Sequence, residues 1–307
     1  MSTLTKPVVR KRSADTRKMI KALALLTPAA IMVCIFIYYP VIRTILMAFQ
    51  NYKLFDQSNI GYSGFNNFRG VFHDSNFTHI LKNTLLWVGV SLFFQFTIGF
   101  GLALLMKKKF RFIGIYQGII FIPWALAGFL MGLVWKWIFD DNLGVMNDLL
   151  LKLGIIHERI PWLSNPSWAM AAVIIANIWY GVTFFVIMIL AALQGVPGEI
   201  LEAAELDGAN RVQTLFQVII PYIRATLILI VLLRIMWITN FPDIIFGMTS
   251  GGPAGGTHIL SSWLIEKITY DQDWGAGAAV GILILGILFV FSFFYLLATR
   301  LEKDSGV

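Results

Sequence analysis

Charge is what this sequence has least of. Only 13% of its 307 residues are Asp, Glu, Lys or Arg, where a soluble domain carries about 25%. With 58% hydrophobic residues and a mean hydropathy of +0.75, no single soluble core could hide the apolar surface, but a bilayer can. Cysteine is nearly missing as well. Cys34 is the only one and lies within an apolar run, so no intrachain disulfide can form and a thiolate metal site lacks ligands. It reads as a small buried apolar residue. The four histidines, His73, His79, His157 and His258, have no metal-ligand spacing and read as solvated residues of outer loops. No Gly-x-x-x-x-Gly-Lys-Ser/Thr phosphate loop occurs, so ATP is not bound through that motif. No catalytic constellation and no metal site is expected. A membrane-embedded enzyme would need His, Asp or Glu clustered within the crossings. An ion-coupled secondary carrier would favour paired mid-membrane carboxylates and inverted repeats. The sequence has none of these features.

What is present is a set of long, continuous apolar runs. In hydrocarbon the backbone must satisfy its own hydrogen bonds, which leaves helices or closed barrels. Barrel strands alternate in runs of about ten, so these runs read as helices. They are placed at Ala22–Ala48, Ile80–Met106, Ile113–Phe139, Trp168–Leu193, Pro221–Met248 and Trp274–Thr299. The expected fold is an all-α membrane protein with six transmembrane helices across residues 22–300. A basic tail (1–21) precedes them and a short tail (301–307) follows. The first run is too long for a signal-peptide core, and no small-residue cleavage site follows it.

The net charge of +7 is concentrated at the ends of apolar runs, so it speaks to topology and not to nucleic acid. Lys6, Arg10, Lys11, Arg12, Arg17, Lys18 and Lys21 fall on one side, with Lys107, Lys108, Lys109, Arg111, Arg211, Arg224, Arg300 and Lys303. The other side holds Lys53, Arg69, Lys136, Lys152, Arg159 and Lys267. Both termini are therefore expected in the cytoplasm, with the loop around Glu202.

That loop, Gln194–Pro221, is too long for a simple turn. Pro197 suits a helix start, Glu199 suits the first turn, Ile200–Leu206 are good helix formers, and Gly208 is a natural stop. Residues 197–211 thus predict a short amphipathic helix outside the bilayer. Ala203 and Ala204 give it a low surface that another protein's groove could approach; a helix lying on the membrane surface is the other reading.

The same stretch resembles the EAA signature of binding-protein-dependent ABC importer permeases: Glu-Ala-Ala, three residues, Gly, nine residues, then Ile-x-Leu-Pro. Here these are Glu202, Ala203, Ala204 and Gly208, followed by Val218-Ile219-Ile220-Pro221 with aliphatic exchanges only. Gly64-Phe65-Asn66-Asn67-Phe68, Lys82-Asn83-Thr84, Ile122-Pro123, Asn142-Leu143-Gly144, Trp162-Leu163, Leu193–Pro197 and Thr249–Pro253 resemble the sugar branch, the maltose and glycerol-phosphate types. The resemblance spans about Ala22 to Arg300. It implies a type I importer permease in a bacterial inner membrane, with no enzymatic activity of its own and a coupling helix docked on a cytoplasmic ATPase through Glu202, Ala203, Ala204, Leu206, Asp207, Gly208 and Arg211. The implied partners are a second permease subunit, a homodimer of ATPase subunits that holds ATP and Mg, and an extracytoplasmic sugar-binding protein that meets Gly251, Gly252 and Pro253. Sugar and membrane lipid complete the set, and a solute such as glycerol-phosphate is the alternative cargo.

Asn177, Tyr180, Gly181 and Phe184 share one face of the fourth helix. Arg234, Trp237 and Phe241 share a stripe of the fifth with Asn240 at its edge, and Trp124 and Gly128 are four apart in the third. By pattern alone these are packing residues or sugar-facing ones. The resemblance implies a mid-membrane sugar path at Trp124, Gly128, Tyr180, Gly181, Phe184, Trp237 and Asn240, with Phe241 where the family has a second Asn. Arg234 and Asp243 are costly in lipid. Nine residues apart, they lie on opposite faces of one straight helix and so do not pair. Asp243 is placed near the outer interface, and Arg234 at a cavity or subunit contact.

Overall fold

The computed structural model describes residues 10–107 and 111–304. Residues 1–9, with Lys6, residues 108–110, with the basic pair Lys108 and Lys109, and residues 305–307 lie outside the described residues. Helix α1 (Arg10–Val33) continues through a π-helical turn, Cys34–Tyr38, into α2 (Tyr39–Ala48). A small hairpin, β1 (Gln50–Asn51) with β2 (Gly61–Tyr62), precedes α3 (Asn66–His73) and the long α4 (Phe77–Lys107). Next come α5 (Ile113–Phe121), α6 (Gly128–Ile138), α7 (Val145–Lys152) and α8 (Pro166–Gln194). The chain finishes with α9 (Gly198–Leu206), α10 (Arg211–Gln213), α11 (Ile220–Thr239), α12 (Asp243–Met248), α13 (Leu260–Thr269) and α14 (Trp274–Asp304).

Among the described residues, five segments are long and apolar enough to cross a membrane: Lys21–Ala48, Phe77–Lys107, Pro166–Gln194, Arg211–Met248 and Trp274–Thr299. The sixth expected crossing is bent. Ile113–Ala125 and Gly128–Ile138 meet at 101°, so Ile113–Phe139 is not one rod. Pro123 lies in a 3₁₀ turn, Ile122–Ala125, and brings no N–H to an α-helical ladder. Leu126 and Ala127 then turn extended and end the segment. The fifth helix also differs from expectation. It is interrupted between Thr239 and Asp243, where Pro242 breaks the ladder. Arg234 and Asp243 therefore do not share a straight helix, although they form no ion pair.

Two π-helical turns stand directly before a proline: Cys34–Tyr38 before Pro40, and Thr214–Ile219 before Pro221. A proline ring clashes with the carbonyl four residues back. Widening the preceding turn makes room for it, and the helix carries on. So Arg211–Met248 starts ten residues earlier than the apolar run by itself suggests.

Helix α8 forms the centre. Its hydrophobic residues run through two core clusters, one with Trp87, Phe139 and Ile245 and one with Ala103, Ile189 and Ile223. Small residues let backbones close in. A Cβ on Gly99 of α4 would stand 2.5 Å from Phe185 Cβ, and one on Gly132 of α6 would stand 2.8 Å from Gly247 Cα of α12. Lys21–Ala48, by contrast, buries none of its apolar window within the chain, and Cys34 is exposed there rather than buried.

The end away from α9 is tied together by asparagines, which accounts for several motifs. Asn67 Nδ2 donates to Ala48 O and Gln50 O at 2.9 and 2.8 Å, sealing the end of α2. Asn147 donates to Asp141 O and Ile160 O and accepts from Trp162 Nε1, so one amide holds the loop before α8. Asn83 Nδ2 donates to Gly256 O (2.9 Å) and His258 O (3.2 Å), and Thr84 Oγ1 accepts from Leu260 N (3.0 Å). Asn83→Ala should strand two buried carbonyls and cost about 2 kcal/mol. Thermal melting in detergent should show a lower Tm, and an unchanged curve would remove Asn83 from this tethering role.

Candidate substrate cavity and coupling helix

The helices around α8 are apolar, yet a line of polar side chains runs between them. Arg234 on α11 is only 4% exposed, and Ser91 and Gln95 on α4 and Asn177 on α8 are fully buried. Arg234 Nε donates to Gln95 Oε1 at 2.7 Å, Gln95 Nε2 donates to Asn177 O at 2.8 Å, and Asn177 Nδ2 donates to Ser91 Oγ at 2.9 Å. Gly181 makes the crossing possible, since a Cβ there would collide with Arg234 Nη2 and the Gln95 amide.

Above this line is a cavity of about 340 Å³ lined by Trp124, Tyr180, Arg234, Trp237, Ile238, Asn240 and Phe241. Its walls are aromatic. Tyr180 and Phe241 stack at 5.2 Å with planes 13° apart, and Trp237 lies 6.4 Å from Trp124 and 5.4 Å from Phe184. The Arg234 guanidinium also faces the Phe184 ring at 5.6 Å.

Of the residues singled out in the sequence, Trp124, Tyr180, Trp237 and Asn240 line this cavity, and Phe184 backs it. Gly181 lies beneath it as the clearance for Arg234, and Gly128 packs on Phe241 and Asp243 instead of opening to the space. Trp124 and Gly128 fall on either side of the bend, so their helical spacing does not apply. Asn240 Nδ2 turns back to Met236 O at 2.9 Å. Gln95 and Ser91 were not foreseen; a buried amide on a long apolar helix was the available signal.

Helix α9 has a different character. Ala204 is buried against the bundle, while Glu202, Ala203, Asp207, Gly208 and Arg211 are exposed and Leu206 is 89% exposed. Of the two alanines, only Ala203 belongs to the outer surface. The end of α9 is a Schellman turn: Ala209 N bonds to Ala204 O and Gly208 N to Glu205 O, both at 3.0 Å. Gly208 has φ +79°, the left-handed region that glycine accepts without cost. Asn210 then caps α10 reciprocally with Gln213.

The Thr249–Thr257 loop is folded inward and is not an open flap. Gly251 (φ +88°) is buried against the His258 ring. Thr257 Oγ1 donates to Gly252 O at 2.9 Å. Gly252 and Pro253 are half-buried, and Ala254 is the exposed tip. His258 is likewise no solvated loop residue. It is 7% exposed, with Nδ1 3.2 Å from Ser262 Oγ and Nε2 3.3 Å from Glu266 Oε2. His73, His79 and His157 are exposed as read from the sequence. A larger cleft of about 730 Å³, lined by the hairpin, α3 and α13, opens at this end. Its wall charges are paired, Lys53 with Asp273 and Lys267 with Asp74. It lies outside the spanning segments, so it is not where a solute would cross.

The architecture defines a class: a polytopic helical permease with a cavity inside the bundle and an exposed helix on the loop beside it. The chain belongs to the family described as binding-protein-dependent transport system inner membrane component, whose profile matches residues 95–303. It is 32% identical over 293 residues to the sulfoquinovosyl glycerol transport system permease protein SmoG of Agrobacterium fabrum, covering 95% of this chain and 94% of that one. It is 28% identical to the trehalose/maltose transport system permease protein MalF of Thermococcus litoralis, covering 91% and 94%. A solved bacterial transporter that imports the acidic polysaccharide alginate superposes with TM-score 0.80 at 25% identity, over 94% of this chain and 97% of that one. The protein is accordingly a multi-pass inner-membrane component of an ABC importer.

Gly181→Ala would force the guanidinium and Gln95 aside in a packed interior, at a cost of about 1–3 kcal/mol; a lowered Tm for the purified chain checks this. Burial pushes the His258 imidazole below its usual value of 6.5, with Glu266 partly opposing. The folded chain thus prefers neutral His258, while the unfolded chain takes up a proton more readily. The stability is fully present above 6.5 and is lost as pH falls below it towards the lowered folded value. Tm should drop on acidification through that window, and His258→Gln should flatten the dependence.

Proposed function

We propose that this chain is the transmembrane subunit of an ATP-driven importer of a sugar or glycoside, forming half of a pore that works by alternating access. The observation that carries the reading is connectivity. Helix α9 lies on the segment joining α8 to α11, and those two helices supply Tyr180, Arg234 and Trp237 to the cavity. A push on α9 is delivered to both walls at once.

The aromatic walls suit the C–H faces of sugar rings, and Arg234 and Asn240 bring polar groups. The relatives support a carbohydrate cargo. One is named for sulfoquinovosyl glycerol, one for trehalose/maltose and one for galactooligosaccharides. A solved alginate transporter is in complex with an alginate pentasaccharide-bound periplasmic protein.

ATP and Mg are held by a separate pair of ATPase subunits, which grip the exposed Glu202, Ala203 and Leu206. The end that carries α9 and Lys107 faces the cytoplasm, in keeping with the positive-inside rule. A second permease covers part of the bundle, and the Lys21–Ala48 crossing, whose apolar window is unburied within the chain, favours such a partner or lipid. A loaded sugar-binding protein docks on the opposite end, where the half-buried Gly252 and Pro253 are near the surface.

In this cycle ATP binding closes the ATPase dimer, α9 transmits the motion, and the cavity opens outward to receive sugar. Hydrolysis then returns it inward. A Glu202→Ala, Gly208→Ala double variant removes an exposed acid and the left-handed turn together. ATPase should no longer co-purify, and vesicle uptake should fall to background while the chain stays in the membrane. Uptake at the normal rate would end the coupling assignment.

A further inference from the structure

Arg234 is a buried cation without a counter-ion. Its Nε is engaged by Gln95 Oε1, and among the described residues no carboxylate pairs with it. The helices packed round it leave little choice: α4, α8 and α11 contain no Asp or Glu along their whole lengths. Asp243 is an acidic group at the exposed start of α12, and Tyr180 stands within electrostatic reach of both Asp243 and Arg234. A guanidinium keeps its charge in a protein and carries five N–H donors in a planar fork. Holding it uncompensated in a membrane interior is costly. Phe184 faces the cation at 5.6 Å, which offsets part of that cost and neutralises none of the charge. The guanidinium lines the 340 Å³ cavity, so the compensating anion has a place to arrive.

We infer that the cavity is built for a sugar carrying an oxyanion, a carboxylate or a sulfonate, and that Arg234 is the residue that selects it. The inference rests on the importer reading and adds the substrate class. The free Nη donors offer the oxyanion a bidentate contact, while Trp124, Trp237 and Tyr180 take the ring faces. Gln95 holds the fork in place through Nε, and Gly181 leaves it room.

The test uses the full chain, purified with its partner subunits in lipid nanodiscs, and three methyl glucosides that differ only at C6: hydroxymethyl, carboxylate and sulfonate. Quenching of tryptophan fluorescence reports occupancy beside Trp124 and Trp237. At least one anionic glycoside should half-saturate at a concentration about tenfold below the neutral one, the range of one hydrogen bond to a charged group. Arg234→Gln should erase that preference and Arg234→Lys should keep part of it. Equal responses, a preference for the neutral glucoside, no response from the wild type, or a preference that survives Arg234→Gln would each overturn the inference. Should Arg234→Gln fail to assemble, the exposed Asp243→Asn decides. Removing that negative charge should tighten the anionic glycosides by about twofold and leave the neutral one unchanged; equal shifts or none count against Arg234. Failure of the importer reading shows separately, as a chain that brings down no ATPase.

Discussion

The hydrogen bond from Arg234 Nε to Gln95 Oε1 joins α11 to α4, and Gln95 extends the connection to α8 through Asn177 O. In an apolar interior these groups have no water to fall back on, so leaving any of them unpaired is expensive. The line therefore fixes the register of three helices that hydrophobic packing would let slide. Apolar side chains alone give little direction in lipid, because lipid tails are as apolar as leucine. The cavity depends on this line directly, since Arg234 is both a link in it and part of the cavity wall.

Prolines set the course of the helices around that cavity. Pro123 and Pro242 end ladders next to it, which leaves Trp124 and Phe241 on irregular backbone that faces the open space. Such backbone is tolerated at membrane depth when it borders protein or a cavity. Pro221 is instead absorbed by a π-helical turn, so the stretch from Arg211 to Thr239 remains continuous. The segment that continues from α9 is thus unbroken, and the segments that shape the cavity are broken.

Interruption needs anchoring, and the end opposite α9 supplies it through side-chain amides. Asn67, Asn83 and Asn147 each hold two backbone carbonyls that have no helical partner. A single amide that donates twice fixes a loop more tightly than one-point contacts can. This explains why Gly251 and His258 are folded inward.

The sequence by itself determined the environment and the five to six long apolar segments, because apolar run length is read against a fixed bilayer thickness. It also determined helix α9, since Pro197, the helix formers and Gly208 act within a few residues of one another. Trp124, Tyr180 and Trp237 could be picked out as one cavity only by family likeness, since they are far apart in the chain. The tertiary structure decided the rest. The 101° bend at Leu126, the pairing of Arg234 with Gln95 139 positions away, the inward fold at His258 and the outward turn of Ala203 but not Ala204 all depend on which surfaces meet. Local pattern fixes what a segment can become, while burial and pairing between distant segments fix which polar group is satisfied and which, like the Arg234 guanidinium, lines a cavity.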